Sequence, residues 1–215
     1  MLVAAPLFAW DEFMPVDPGS GGTSLSVYRA IEDNATWDPT FQFKIGIVNR
    51  MDLEYSQPFA VDGVQGIDRP NLGIKITLPS SYKLAALAAV SLPVGSESVV
   101  GTSPGLRLDL ALIHEFDAIG AAFNGFVAYR AEVESFPDGE LQLYTAPTWS
   151  ISGPLSGYIG LSYTHPSGGS GTIGLWPGLD YTINDNLGFC GDFDLDTTIG
   201  GGTVLGINLS LYGSF

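Results

Sequence analysis

The chain has 215 residues, of which 45% are hydrophobic and only 14% are charged, and it contains a single cysteine. Soluble domains carry nearer a quarter charged residues, so this composition indicates many surface positions that exclude charge. The net charge of −15 argues against nucleic acid as a partner, the lone cysteine excludes an internal disulfide, and no apolar run is as long as a membrane-spanning helix.

From residue 23 onward, apolar and polar residues alternate with a period of two, the pattern of strands with one apolar and one polar face. Residues 1–22 lack this pattern and are predicted to form an amino-terminal arm or the remnant of a signal peptide, whereas 23–215 form one β-domain. About twelve strands are predicted, at 25–29, 41–47, 51–55, 72–78, 84–92, 106–112, 119–129, 141–151, 155–163, 173–183, 187–193 and 203–215.

Short and long connections alternate between these strands. Tight turns are predicted at 49–50, 79–81, 115–117, 152–154 and 184–186, and longer loops at 33–39, 57–70, 93–104, 131–139, 165–171 and 194–202. Strands of roughly ten residues that are joined in this way are typical of a transmembrane up-and-down antiparallel β-barrel. The even strand count places both termini at the short-turn rim, which faces the periplasm in such barrels.

Alternation alone does not say which face is outward, because the barrel of a lipocalin is apolar inside. In each strand, we call the alternate positions that are mostly apolar the apolar parity and the positions between them the polar parity. Aromatic residues of the apolar parity lie near strand ends, like the two interfacial girdles of a membrane barrel. Tyr55, Tyr129 and Tyr163 lie towards the long-loop rim, and Trp149 and Phe215 lie towards the short-turn rim. Together with charged residues on the polar parity, these aromatics favour lipid outside and a wet lumen inside.

The charged residues of the polar parity are predicted to line the lumen and to set the selectivity of a passive channel for small molecules. Asp52 belongs to this group, and the seven residues that we expect to determine the selectivity are Lys44, Glu54, Lys75, Arg107, Asp109, Asp180 and Asp192. Mixed charge of this kind either forms salt bridges that narrow the barrel or builds a selective filter, in which the acidic excess favours cations. Because twelve strands enclose only a narrow bore, we expect a low conductance.

The last strand alternates up to the final residue of the sequence. Leu209 and Leu211 share the apolar parity, and the chain ends on Phe215. This ending resembles the carboxy-terminal signal of bacterial outer-membrane barrels, which the barrel-assembly machinery reads. We therefore expect 203–215 to serve as the assembly signal and to close the barrel by pairing with the first strand.

Three central runs carry a resemblance to a known family: N-L-G-I-K-I-T-L-P at 71–79, L-A-A-V-S-L-P-V-G at 87–95 and L-R-L-D-L-A-L-I-H-E-F at 106–116. They resemble the outer-membrane transporter barrels that are labelled as involved in the meta-pathway of phenol degradation. The resemblance implies passage of small, often hydrophobic or aromatic compounds. It brings no catalytic residues to carry over.

Two alternatives to a channel remain open. His165 and Ser167 resemble the His-x-Ser pair of the outer-membrane phospholipase and lipid A deacylase barrels, and they would make the chain an outer-leaflet esterase. However, Pro166 and the following glycines indicate a loop, and Asp180 has the lumen parity rather than that of a third catalytic member. The second alternative is a structural barrel whose long acidic loops bind other surface proteins.

The sequence thus predicts a barrel in the outer membrane of a Gram-negative bacterium. Its expected partners are outer-membrane lipids and lipopolysaccharide, the barrel-assembly machinery during biogenesis and a small-molecule solute. No cofactor or metal site is expected, because no loop has the spacing of a known cation-binding motif.

Overall fold

The computed structural model describes residues 16–31, 37–60, 66–67, 70–78, 84–92, 105–133 and 137–215. Strands account for most of these residues, and none of them forms a helix long and apolar enough to cross a membrane. The strands are β1 (Gly21–Ala30), β2 (Asp38–Val48), β3 (Met51–Ala60), β4 (Gly66–Ile67), β5 (Asn71–Leu78), β6 (Leu84–Ser91), β7 (Gly105–Ala118), β8 (Ala121–Glu132), β9 (Glu140–Ser152), β10 (Leu155–Pro166), β11 (Thr172–Asn184), β12 (Leu187–Thr198) and β13 (Thr203–Ser214).

All of these strands except β4 form one closed antiparallel barrel, in which each strand pairs with the strands before and after it. β1 pairs with β2 on one side and with β13 on the other, so the sheet closes on itself. The two-residue strand β4 pairs only with the end of β3, and β3 pairs directly with β5. The prediction of a twelve-stranded up-and-down barrel is therefore confirmed.

The apolar residues point outward, as β5 illustrates. Leu72, Ile74 and Ile76 are 40%, 46% and 42% exposed, whereas the intervening Lys75 is fully buried and Thr77 is 6% exposed. An aqueous solvent would penalise a continuous exposed band of leucine and isoleucine, whereas lipid tails accept it. The apolar parity is therefore the outer, lipid-facing surface, and the polar parity faces the lumen.

The strands are joined at one rim by tight turns. Residues 49–50, 119–120, 153–154 and 185–186 each separate two paired strands. Arg50 and Ile119 adopt φ values of 70° and 56°, and Gly153 adopts 46°, as two-residue hairpin turns that match the twist of the strands require. The turns at 49–50, 152–154 and 184–186 are confirmed to within a residue, and the one at 79–81 lies outside the described residues.

The prediction of a turn at 115–117 is wrong. β7 continues through this segment to Ala118, and the turn lies at 119–120, where Ile119 is 99% exposed. Glu115 and Asp117 suggested a turn because they are charged, yet both simply continue the inward parity of Arg107 and Asp109. Charge within an alternating run marks the lumen face here rather than the end of a strand.

Strands also extend into segments that were predicted to be loops. β2 begins at Asp38, within the predicted loop 33–39, and β3 continues to Ala60 and β4 lies at Gly66–Ile67, both within the predicted loop 57–70. β8 reaches Glu132, β10 reaches Pro166 and β12 reaches Thr198, so the loops at 131–139, 165–171 and 194–202 begin later than predicted. In β12 the extension continues the alternation, with Leu195 pointing outward and carboxylates on either side of it pointing inward. These extra residues enlarge the lumen wall near the long-loop rim.

The two ends of the described chain meet at the short-turn rim. Leu25 is in register with Leu211 and Arg29 with Ile207, which confirms the predicted pairing of the first and last strands. Gly21 and Phe215 exchange two backbone hydrogen bonds, each of 3.0 Å between nitrogen and oxygen. The Phe215 ring lies against Gly21, where a Cβ atom would collide with it, and stacks on Phe43 at a centroid distance of 6.1 Å.

Candidate solute pathway through the barrel lumen

All seven residues that were predicted to line the lumen lie on the inward parity of their strands. Lys44, Glu54 and Lys75 come together from β2, β3 and β5, and Arg107 and Asp109 lie close by on β7. Asp180 and Asp192 lie on β11 and β12 and form no ion pair with these residues among the interactions of the described chain. The lumen thus has two differently charged sides, which we call the paired wall (β2, β3 and β5–β8) and the acidic wall (β9–β13).

The centre of the paired wall is a four-residue ion network. Lys75 Nζ lies 2.9 Å from Asp52 Oδ2 and 3.2 Å from Glu54 Oε1, and Lys44 Nζ lies 3.4 Å from the same glutamate oxygen. Lys75 and Asp52 are both fully buried. Two cations and two anions compensate one another here, as buried charges must if they are to remain ionised.

Asp109 continues this arrangement on the neighbouring strands. Its Oδ2 atom lies 3.1 Å from Arg107 Nε and 3.2 Å from Arg130 Nε, while the carboxylate itself is only 1% exposed. Asp109 is in register with Leu87 of β6, which belongs to an apolar cluster on the inner face of β6–β8. That cluster consists of Ala85, Leu87, Ala111, Ile113 and Ala128. The paired wall is thus packed rather than hydrated along part of its length.

The end of the amino-terminal arm also lies against the paired wall. Gly19 and Ser20 exchange backbone hydrogen bonds with Gly46 at 2.9 and 3.0 Å, and Val16 N–H points at the Asp52 carboxylate at 3.3 Å. Gly46 has the inward parity, and a Cβ atom there would collide with the Asp17 carbonyl. Residues 16–20 therefore occupy the lumen beside the ion network, whereas 1–15 lie outside the described residues.

The acidic wall satisfies its carboxylates by hydrogen bonds instead of ion pairs. The Tyr212 hydroxyl donates to Asp180 at 2.7 Å, and the Tyr158 hydroxyl donates to Asp192 Oδ2 at 2.7 Å. Asn208 Nδ2 donates to the same oxygen of Asp192 at 3.3 Å. No lysine or arginine follows Arg130 anywhere in the sequence, so strands β9–β13 contain no permanent cation.

Sequence reasoning missed part of this wall. Asp194 and Asp196 were assigned to a loop, but they lie on β12 and face inward, because they pair with Gly206 and Val204 of the inward parity of β13. Trp176 and Tyr144 also face the lumen. The signal that could have found the two carboxylates is the strict i, i+2 spacing of Asp192, Asp194 and Asp196.

The described residues line two recesses that open within the lumen. One has a volume of about 230 Å³ and is bounded by the charged side chains of Lys44, Glu54 and Arg107 together with Gly73. The other, which we call the aromatic recess, has a volume of about 330 Å³ and is bounded by aromatic and hydroxyl side chains of β8–β11 and by Asp196. Each wall thus offers a cavity large enough for a small solute.

The candidate hydrolase pair is not assembled. His165 lies on β10, in register with Leu141, and its ring Nδ1 is 3.4 Å from the Tyr163 hydroxyl. Ser167 lies beyond the end of the strand, where its Oγ accepts a hydrogen bond of 3.1 Å from the Gly139 N–H. The prediction that His165 belongs to a loop is wrong, and no hydrogen bond joins it to Ser167 among those of the described residues.

The described residues contain no group of three histidine, cysteine, aspartate or glutamate side chains placed to hold a metal ion.

The aromatic side chains that point outward lie near the rims at which they were predicted. Trp149 and Phe215 are 37% and 57% exposed near the short-turn rim, and Tyr129 and Tyr163 occupy the outward parity near the long-loop rim. The outer surface therefore has aromatic side chains towards both rims, as expected at two membrane interfaces.

No protein-family model matches the sequence, and no curated protein is similar to it at the level of sequence. Solved structures share its fold. An outer membrane channel from Pseudomonas putida superposes with a TM-score of 0.66 at 13% identity, over 95% of this chain and 98% of that one. The translocator domain of the autotransporter NalP from Neisseria meningitidis has a TM-score of 0.55 at 9% identity, over 91% of this chain and 87% of that one.

A further structure with this fold is the monoaromatic hydrocarbon channel CymD. It superposes with a TM-score of 0.53 at 9% identity, and the match covers 93% of this chain and 89% of that one. At such identities the likeness establishes the fold alone. The chain therefore has the fold of outer-membrane β-barrels, as its sequence predicted.

Proposed function

We propose that the chain is an outer-membrane channel through which small molecules diffuse passively. The observation that supports this function best is a closed barrel with an apolar outer face and an inner face that bears charged side chains and two recesses. A purely structural barrel has no need of open recesses inside, because its lumen can be filled completely with side chains. The short-turn rim and both chain ends would face the periplasm.

In this proposal the seven lumen residues set the selectivity of the channel. A solute would pass between the paired wall, whose charges compensate one another, and the acidic wall, whose carboxylates have no cation beside them. Solutes would be small and neutral or cationic, and hydrophobic or aromatic molecules would suit the aromatic recess. Because Lys75, Asp52 and Ala111 are at most 1% exposed, part of the bore is filled, and we expect a low conductance.

The barrel would reach the outer membrane through the assembly machinery, with 203–215 as its signal, and would contact outer-membrane lipids and lipopolysaccharide. We propose no catalytic role. His165 and Ser167 have other hydrogen-bond partners, Tyr163 and Gly139, and no hydrogen bond joins the two among those of the described residues. An esterase assay of the purified barrel and its Ser167→Ala variant tests this point, because ester hydrolysis that is lost in the variant would contradict it.

Channel activity can be tested by reconstituting the full chain into planar bilayers and solute-loaded liposomes. We expect small, discrete conductance steps and uptake of small neutral solutes that liposomes without protein do not show. Gly73 lines the charged recess, so Gly73→Trp should slow uptake several-fold, whereas Leu72→Trp, next to it on the outer face, should leave uptake unchanged. A folded barrel with neither conductance nor uptake would overturn the proposal.

A further inference from the structure

One cross-strand row, which starts on β8 at the edge of the paired wall and continues across β9–β12 of the acidic wall, builds the aromatic recess. Phe126 is in register with Tyr144, Tyr144 with Ser162, Ser162 with Gly174 and Gly174 with Asp196, so all five lie side by side on the inner face. Phe126 and Tyr144 stack with ring centroids 5.4 Å apart, and Tyr144 is followed by Trp176 at 5.6 Å. The recess thus has a continuous aromatic floor on one side and a carboxylate on the other.

Two glycines create the space for this arrangement. The Trp176 indole lies over Gly160, where a Cβ atom would come within 2.7 Å of the ring. Above Gly174, a Cβ atom would lie 2.6 Å from Asp196 Oδ1 and 3.2 Å from Trp176 Nε1, and it would also collide with Ser162 Oγ. The hydroxyl, the carboxylate and the indole N–H therefore converge where the strand has no side chain of its own.

The Trp176 indole N–H lies among the carboxylates of β12. Asp194 and Trp176 lie between the register pairs Gly174–Asp196 and Gly178–Asp192, and the indole N–H is directed at the carboxylates of Asp194 and Asp196. One N–H donor faces four carboxylate oxygens there, so the recess has more acceptors than donors. A ligand that carries positively charged hydrogen-bond donors would complement this excess.

Charge decides which ligand fits. Asp194 and Asp196 face the lumen on strands that contain no lysine or arginine, and the ion pairs of the paired wall involve other carboxylates. An anion would meet repulsion, and a neutral solute would leave these carboxylates without a counter-charge in a half-buried site. An inorganic cation would gain little from the aromatic faces, whereas an organic ammonium gains from both the carboxylates and the electron-rich faces of Trp176 and Tyr144.

We infer that the aromatic recess binds small organic cations, specifically arylalkylammonium compounds. The ammonium group would lie between Asp196 and the Trp176 ring, and the aryl group would stack along Tyr144 and Phe126. A cavity of about 330 Å³ has room for a molecule of this size. This inference rests on the proposed channel function, since it names the class of solute that the acidic wall selects.

The test compares three probes with one carbon skeleton and different charge: 2-phenylethylammonium, 2-phenylethanol and phenylacetate. Each is titrated calorimetrically into the purified full-length barrel in detergent, with protein-free micelles as the blank. We expect saturable binding of the ammonium, binding of the alcohol that is at least about tenfold weaker and no binding of phenylacetate. Equal affinities for the ammonium and the alcohol would overturn the inference, as would an absence of saturable ammonium binding.

Variants locate the site. Asp196→Asn should weaken ammonium binding about tenfold and leave the alcohol nearly unchanged, because only the ammonium requires the charge. Asp185→Asn removes the same charge from an exposed turn and serves as the matched control, and an equal loss there would overturn the inference. Trp176→Leu should weaken both the ammonium and the alcohol, and full ammonium affinity in this variant would contradict a role for the indole.

Liposome uptake separates this inference from the proposed function. Solute uptake without saturable ammonium binding would overturn the binding site and leave the channel standing. Ammonium binding to a barrel without conductance or uptake would overturn the channel and leave the binding site standing. The mixed-charge recess of the paired wall shares no lining residue with the aromatic recess. Gly73→Trp should therefore reduce uptake without changing the affinity for the ammonium.

Discussion

The two walls of the lumen bury carboxylates by different chemistry. On the paired wall, Asp52 and Asp109 lie against lysine and arginine, and each of these carboxylates is nearly inaccessible to solvent. On the acidic wall, Asp180 and Asp192 are held by tyrosine hydroxyls, with no permanent cation on the same five strands. The first arrangement neutralises its charge internally, whereas the second leaves negative charge facing the bore.

This difference suggests a division of labour within one barrel. Ion pairs fix neighbouring strands to one another and fill the lumen, so the paired wall should matter most for stability. Hydrogen bonds from neutral tyrosines hold carboxylates in place without cancelling their charge, so the acidic wall should matter most for the choice of solute. The following experiments can break or sharpen this contrast.

The largest effect is expected from Lys75→Met on the paired wall. The substitution leaves the fully buried Asp52 without its cation, whereas the partly exposed Glu54 keeps Lys44 at 3.4 Å. The uncompensated Asp52 should cost about 3–5 kcal/mol of unfolding free energy. Urea unfolding in lipid vesicles, followed by tryptophan fluorescence, measures the loss. Adding Asp52→Asn should recover part of it, because the unpaired charge is then removed. A single variant as stable as the natural chain would show that the network is not stabilising.

A smaller effect is expected from removing one tyrosine hydroxyl of the acidic wall. Tyr212→Phe deletes the hydrogen bond to the 2%-exposed Asp180, and we expect a loss of about 1.5–3 kcal/mol in the same assay. Tyr158→Phe is the matched variant, since Asn208 still donates to Asp192 after the substitution. Its cost should be only about 0.5–1.5 kcal/mol. The reverse order would contradict the bonding described for this wall.

The smallest effect in free energy concerns ion selectivity. Replacing both Asp194 and Asp196 with asparagine should lower the cation-to-anion permeability ratio about two- to threefold, since both side chains are only partly buried and salt in the bore screens their charge. Reversal potentials in a salt gradient across a planar bilayer give this ratio. Asp185→Asn should leave it unchanged. An unaltered ratio in the double variant would show that the acidic wall does not choose the permeating ion.

Most of the fold could be predicted from the sequence because a barrel wall imposes a strict period of two. The alternate leucine and isoleucine residues of β5 predicted both the strand and its lipid-facing side, and the alternation of 203–215 predicted the strand that closes the barrel. Strand ends were less predictable. Glu115 and Asp117 were assigned to a turn and Asp194 to a long loop, although lumen-facing positions tolerate charge along the whole strand.

The inward position of the seven charged residues that were assigned to the lumen was also predictable from the alternation of the strands. Which of these residues form ion pairs with one another was not predictable, because the register between strands of the barrel determines which side chains lie close together. Lys75 reaches Asp52 and Glu54 only because β3 pairs directly with β5. The aromatic recess depends on the same register, and its two enabling glycines, Gly160 and Gly174, look like any other glycine in a strand.

The absence of lysine and arginine after Arg130 also determines what protein chemistry can observe. Trypsin cleaves only after these two residue types, so it would release the whole acidic wall as one long peptide, 131–215. Amine-directed cross-linkers and labels would likewise modify only the amino-terminal part of the chain. A protease that cuts at acidic residues, or a carbodiimide that labels carboxylates, would sample both walls of the lumen.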